Sequence, residues 1–200
     1  MTDSNEDHAL ISAVWAERPD LVEAALSKGA NINARDDDKT MLMWAAMSGC
    51  DEIARILVTG GANVDEQTGD GSSALMMAAF SGYEGIVDLL LSRGARPDLR
   101  DQDGETALMS AAKSGEAGII RLLIGAGADV NARDEAGLNA MMWAVSGGDY
   151  GDVVNLLIRS GVDLEAAAVD GSTALTRAES MQHVESIDAL TRAASQKTHD

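Results

Sequence analysis

The residues able to do chemistry are few and scattered. Three histidines, His8, His183 and His199, fall in the two end regions, and none shares a ligand spacing with the single cysteine, Cys50. Zinc centres are built from Cys and His at short paired spacings, so no metal site is expected. One cysteine also precludes an internal disulfide. Cys50 follows Gly49 with no basic neighbour to stabilise a thiolate, so it does not read as a nucleophile. No Ser–His arrangement suggests a hydroxyl with its base. Carboxylates cluster at Asp36-Asp37-Asp38 and Asp134-Glu135, where turn formation accounts for Asp without an acid–base role. The run Asp101-Gln102-Asp103-Gly104-Glu105 lacks the central glycine and distal glutamate of a calcium loop. Gly125-Ala126-Gly127 follows a helical pattern, the wrong end for holding a phosphate. The expectation is a protein with no enzyme activity, no cofactor and no metal.

Composition narrows the partners. There are 33 acidic and 15 basic residues, a formal net charge of -18. Such a field repels nucleic acid and anionic membranes, so both are excluded as expected partners, and it attracts basic protein surfaces. The acidic N-terminus is the reverse of a signal peptide. No apolar run is long enough for a bilayer, since Arg121 breaks even Ile119–Ile124. A cytoplasmic monomer is expected, unless a signal peptide has been removed. Aromatics make up only 3% of the chain, against ten methionines. Small and unbranched apolar residues suit closely packed helices.

The elements that position everything else repeat. Thr40-Met-Leu-Met-Trp-Ala-Ala-Met-Ser-Gly49 is followed by Ser73-Ala-Leu-Met-Met-Ala-Ala-Phe-Ser-Gly82 and Thr106-Ala-Leu-Met-Ser-Ala-Ala-Lys-Ser-Gly115. Asn139-Ala-Met-Met-Trp-Ala-Val-Ser-Gly-Gly148 and a degenerate copy from Thr173 complete the series. Starts at 40, 73, 106 and 139 are 33 residues apart, and the last, at 173, is 34 on. The extra residue falls near Asp149–Asp152 and reads as a local bulge without consequence. Each phrase predicts a helix capped by Thr40, Ser73, Thr106, Asn139 or Thr173. A second helical pattern follows, as in Ile86–Leu91, ended by a left-handed Gly94 or Gly127. An extended stretch then reaches an Asp-Gly turn, as at Asp70-Gly71, Asp103-Gly104 and Asp170-Gly171.

A 33-residue period carrying Thr-x-Leu-x-x-Ala-Ala resembles the ankyrin repeat family over nearly the whole chain. The resemblance implies an all-α solenoid of stacked helix-turn-helix units with β-hairpin-like loops. The expected division is an extension over 1–4, a repeat domain over 5–190 and a polar tail over 191–200. The units run about 5–36, 37–69, 70–102, 103–135, 136–169 and 170–190. Each unit needs neighbours to bury its faces. The first lacks the Thr phrase and the last is polar at Thr176 and Glu179, so both read as caps and the array is expected to be complete. The family's usual His is replaced by Met43, Met76, Met109 and Met142. Core packing is the expected role of that row, since a redox-sensing row requires exposure.

The resemblance also implies binding through a concave side made of the loop tips and the first helix of each pair. On those helices the residue after the repeated Met is Trp44, Met77, Ser110 and Trp143, and three later come Met47, Phe80, Lys113 and Ser146. Trp15 occupies the matching place in the first unit. Trp15, Trp44, Met47, Met77 and Phe80 are expected to form an apolar strip, with Trp143 apart beyond a more polar unit at Lys113. Trp and Met are favoured anchors at interfaces. Acidic tips, among them Asp37, Asp38, Asp70, Asp103 and Glu135, would steer a partner. The expectation is a non-catalytic adaptor or scaffold binding a protein through the concave face, a basic surface being the kind its charge would attract. The alternative is a stoichiometric inhibitor or immunity-type protein that occludes a basic enzyme or toxin.

Overall fold

A computed structural model describes residues 5–197. The residues cluster into two compact units, Met1–Arg96 and Pro97–Asp200. The first contains α1 (Asn5–Trp15), α2 (Pro19–Ser27), β1 (Arg35–Asp36), β2 (Lys39–Thr40), α3 (Met41–Ser48), α4 (Asp51–Thr59), α5 (Ala74–Ser81) and α6 (Glu84–Ser92). The second contains α7 (Ala107–Ser114), α8 (Ala117–Gly125), α9 (Ala140–Gly147), α10 (Gly151–Arg159), α11 (Ala174–Met181) and α12 (Val184–Lys197). Consecutive helices pair, and within each unit first helices stack on first helices and second on second. Residues 191–197, expected within a polar tail, are the last turns of α12, where Ala193 is buried. His199 and residues 1–4 lie outside the described residues.

The repeated phrase folds as its chemistry predicts. Thr40, Ser73, Thr106, Asn139 and Thr173 each accept a hydrogen bond from the backbone N–H three residues on, at 3.0–3.4 Å. The first four caps are buried, so each satisfies a donor that water cannot reach. Gly49, Gly82 and Gly115 end their helices in the left-handed region. Gly49 has a second reason to be glycine: a Cβ there would lie 2.4 Å from the Tyr83 ring. Tyr150 packs on Gly115 in the same way.

Between caps, the first helices α3, α5, α7 and α9 bury most of their residues. In α3 the buried residues are Met41, Leu42, Met43, Ala45 and Ala46, and the alanines let neighbouring backbones approach. Leu57, Leu75, Leu90, Leu108, Ile119 and Leu123 are fully buried, each contributing about 1.5–3 kcal/mol. Met43, Met76, Met109 and Met142 are buried too, so the methionine row is core. Met43 does more than pack, since the Thr40 N–H points at its Sδ at 3.4 Å.

The loops close on a repeated plan. β1 and β2 pair antiparallel, Arg35 opposite Thr40 and Asp36 opposite Lys39. The later tips close through backbone bonds from Thr68 to Ser72, Asp101 to Glu105, Asp134 to Leu138 and Ala168 to Ser172, at 2.9–3.1 Å. Between loops runs a ladder not anticipated from sequence. Side chains of Asn33, Asp65, Asp98 and Asn131 accept the backbone N–H of Asn63, Arg96, Asp129 and Asp163, one repeat later, at 2.7–2.9 Å. Within each unit these bonds tie one long loop to its neighbour.

The extra residue near Asp149 has a definite role, correcting the expectation of an idle bulge. Gly148 is extended rather than left-handed (φ 173°), which carries the chain outward and turns Asp149 toward the start of α12. Its carboxylate accepts the Glu185 and Ser186 backbone N–H groups at 3.1 and 2.9 Å and the Ser186 hydroxyl at 2.9 Å. The start of α12 is thus capped by a side chain 36 and 37 residues earlier in the chain. Burial raises the Asp149 carboxyl, but the bonds from Ser186 and Glu185 outweigh it and hold the group below its ordinary value.

Candidate functional site

In the first unit, α1, α3 and α5 carry the expected apolar side chains. Their alternation with buried Ala and Leu leaves one row facing outward. Trp15 is 63% exposed, Met47 38% and Phe80 55%, while Trp44 and Met77 are half-buried. The structure brings Trp15 and Trp44 together edge-on, with ring centroids 6.0 Å apart and planes at 65°. Trp44 is anchored from below: its indole N–H donates to the Asp36 carbonyl at 3.3 Å, and the Lys39 ammonium lies 5.4 Å from its ring centroid. Beside the pair opens a pocket of about 360 Å³ lined by Val14, Trp15, Glu17, Trp44 and Ser48.

The second unit treats its tryptophan differently. The Lys113 ammonium sits 4.3 Å above the Trp143 ring, and the Trp143 N–H donates to the Asp134 carboxylate at 2.8 Å. Both side chains are half-buried. The sequence set Lys113 among the positions expected to face a partner. The structure shows it covering Trp143 from the next row, so this indole is largely spoken for. Glu105 joins the cluster. Burial pushes its carboxyl above the ordinary range, Lys113 pulls it back, and Asp101, Asp134 and Asp103 push it further up.

The acidic tips divide into two kinds. Asp38 accepts Arg35 at 3.2 Å and the Gly69 N–H, and Asp70 accepts the Thr68 hydroxyl and the Ser72 N–H. The Thr68 bond chiefly, with Ser72, holds the Asp70 carboxyl below its usual value. These two carboxylates build the turns. Asp37, Asp103 and Glu135 are exposed, and their carboxylates have no partner among the described residues. The arginines also do more than offset charge. Arg35 bonds Glu66 and the Gln67 carbonyl at 2.6 and 2.9 Å. Arg100 reaches the Arg133 carbonyl at 2.6 Å, and Arg133 reaches that of Ala167. Each clamps its own tip to the next. An arginine one place before three of the tip turns, at Arg35, Arg100 and Arg133, was the sequence signal for this.

Among the described residues, no group of three or more His, Cys, Asp or Glu side chains is arranged to hold a metal, and no helix is long and apolar enough to cross a membrane. What the arrangement offers is a surface of exposed indole, thioether and phenyl groups in the first unit, with free carboxylates at some loop tips.

Comparison with known proteins places the chain. A family model for three copies of the ankyrin repeat matches residues 1–68, 42–134, 75–168 and 126–200. An ankyrin repeat domain from Acinetobacter baumannii AYE is similar in structure, with a TM-score of 0.83, 30% identity, and coverage of 92% of this chain and 97% of that one. Another solved ankyrin repeat protein gives a TM-score of 0.85 at 25% identity, over 94% of this chain and 98% of that one. A stretch of 66 residues, 32% of the chain, is 46% identical to part of a glycerophosphocholine phosphodiesterase from Schizosaccharomyces pombe. It spans only 6% of that relative, so its activity is not carried over. Matched over its whole length by the family model and built of the same stacked helix pairs, the chain belongs to the ankyrin repeat family.

Proposed function

We propose that this protein is a non-catalytic binding module that holds a partner protein on the first helices and loop tips of its repeats. Ankyrin repeats are in general protein–protein interaction modules. The observation that carries the reading here is the exposed row Trp15, Met47 and Phe80. In a chain with 3% aromatics, leaving a Trp and the only Phe in water forgoes burial that a monomer has every reason to make. Anchor residues of this type dominate the binding energy of protein interfaces. Asp37, Asp103 and Glu135 favour a basic partner through steering.

The test is capture by the immobilised protein and by a Trp44→Ala, Phe80→Ala variant, with bound proteins identified by mass spectrometry and folding checked by circular dichroism. A partner held by the first and lost by the folded second supports the proposal. Capture unchanged in the variant refutes it. The inhibitor version makes a further demand. Its partner is a single basic protein released by salt, whose activity falls on binding, whereas an adaptor holds partners that survive high salt.

A further inference from the structure

The pocket beside Trp15 contains a residue that the fold itself does not call for. Glu17 follows α1 at the place that Gly49, Gly82 and Gly115 hold after α3, α5 and α7, and that Gln182 holds after α11. Like them it is left-handed, with φ +50°. For a residue with a Cβ that conformation costs about 1–2 kcal/mol, and glycine would avoid the cost. Glu17 does not recover it locally. The next helix, α2, begins at Arg18 and Pro19 with no side-chain cap, and the Glu17 carboxylate makes no hydrogen bond or ion pair among the described residues. Room for the side chain exists because Cys50 stands where Tyr83 stands one repeat later. Tyr83 lies against Gly49 and would occupy that space. A strained, unpaired carboxylate is therefore held at the edge of a pocket whose other walls are two indoles, Val14 and Ser48. Strain of this kind, observed first, is a pointer to function.

The chemistry of the pocket selects one kind of occupant. Indole faces attract cations, a guanidinium stacks on them as a plane, and a carboxylate at the rim supplies the counter-charge. The chain satisfies this same preference internally elsewhere, with Lys113 over Trp143 beside Asp134 and with Lys39 over Trp44. Among the described residues no cation lies over Trp15, although it is the most exposed of the expected strip. We propose that the pocket between Trp15 and Trp44 receives an arginine side chain of the partner, its methylenes against Val14 and the indoles and its guanidinium on Glu17. This rests on the proposed binding role and names the chemistry that the partner presents. The net charge of -18 complements such a segment.

The probe is the peptide acetyl-Ala-Arg-Ala-amide, with citrulline, lysine and leucine in place of arginine as comparisons. Each is titrated into labelled protein at low salt while the three indole N–H resonances are followed. The arginine peptide is expected to move the Trp15 and Trp44 resonances and leave that of Trp143 in place. Citrulline, the uncharged analogue, binds at least about tenfold more weakly, and lysine falls between. Glu17→Gln weakens the arginine peptide about three- to tenfold, the loss of one exposed charge pair beside a ring. Glu17→Gly, which places there the glycine found at Gly49, Gly82 and Gly115, lowers the preference for arginine over citrulline by a similar factor of about three to ten while the protein stays folded. Equal binding of the citrulline or leucine peptide, unchanged binding to Glu17→Gln, or no movement of the Trp15 resonance overturns the assignment. The binding role is judged separately. If the Trp44→Ala, Phe80→Ala variant loses its partner while arginine leaves Trp15 unmoved, the strip stands as an anchor and the arginine is removed from it.

Discussion

Replacing Asp149 by alanine removes two acceptors from the first turn of α12 and the partner of a hydroxyl. The Glu185 and Ser186 N–H groups lose their charged acceptor. Ser186 is 0% exposed, so its hydroxyl cannot turn to water instead. A lost cap costs about 0.5–2 kcal/mol, and a buried donor left unsatisfied about 1–3 kcal/mol. Because the Asp149 side chain itself is largely solvated, the low half of each range applies, and about 2 kcal/mol is expected. In a stack of repeats the loss falls on the terminal pair first. Amide exchange in α11 and α12 should therefore speed up by about 30-fold, with helices of the first unit unaffected. Asp149→Asn keeps an acceptor oxygen without the charge and should lose about half as much. The effect also depends on pH in a fixed direction. Since the folded carboxyl lies below its ordinary 3.8, its contribution is complete above that value and fades as pH falls toward the lower folded one. Unchanged α12 exchange in Asp149→Ala at neutral pH, within about twofold, would refute the reasoning.

Two further outcomes follow from the geometry. Glu105 holds its proton to higher pH when folded than its ordinary 4.5, so its ionisation opposes folding at neutral pH and has no effect well below 4.5. Glu105→Gln is expected to raise Tm at pH 7 and leave it unchanged at pH 3, and an equal shift at both pH values counts against the assigned cause. Gly49→Ala meets the Tyr83 ring and a φ of +76° together, for about 2–4 kcal/mol in urea unfolding. Adding Tyr83→Ala should relieve the packing part and leave about 1–2 kcal/mol, and strict additivity of the two changes would exclude the contact.

Much of this was legible in the residues because it is local. A cap such as Thr106 needs only the N–H of Met109 three positions on, and a left-handed Gly94 needs only its own backbone. The methionine row was readable because Met43 and Met109 recur inside an apolar phrase. What resisted reading spans repeats. Asp98 reaches Asp129, Arg100 reaches Arg133, and Asp149 reaches Ser186, so each side chain's purpose lies 31 to 37 residues away. Lys113 could be placed on the right face from its spacing, but its position over Trp143 depends on how close two helices pack. Glu17 was missed because the register that sets Trp15 beside Met47 was not carried two residues further, where it sets Glu17 against Gly49.

The contacts of Tyr83 with Gly49 and Tyr150 with Gly115 make neighbouring repeats a matched key and keyway. Glu17 with Cys50 is a second pattern of the same lock, with the bulk moved to the other side. Repeats of this chain are therefore not freely interchangeable bricks. Shuffling that sets a tyrosine-bearing repeat after the first one brings an aromatic ring against Glu17, where Gly49 and Gly115 offer no side chain. The reverse shuffle, a cysteine-bearing repeat after a glycine, fits but leaves the slot empty. Order along the array is thus written at its joints, and duplication or loss of a repeat is tolerated only where key and keyway still correspond.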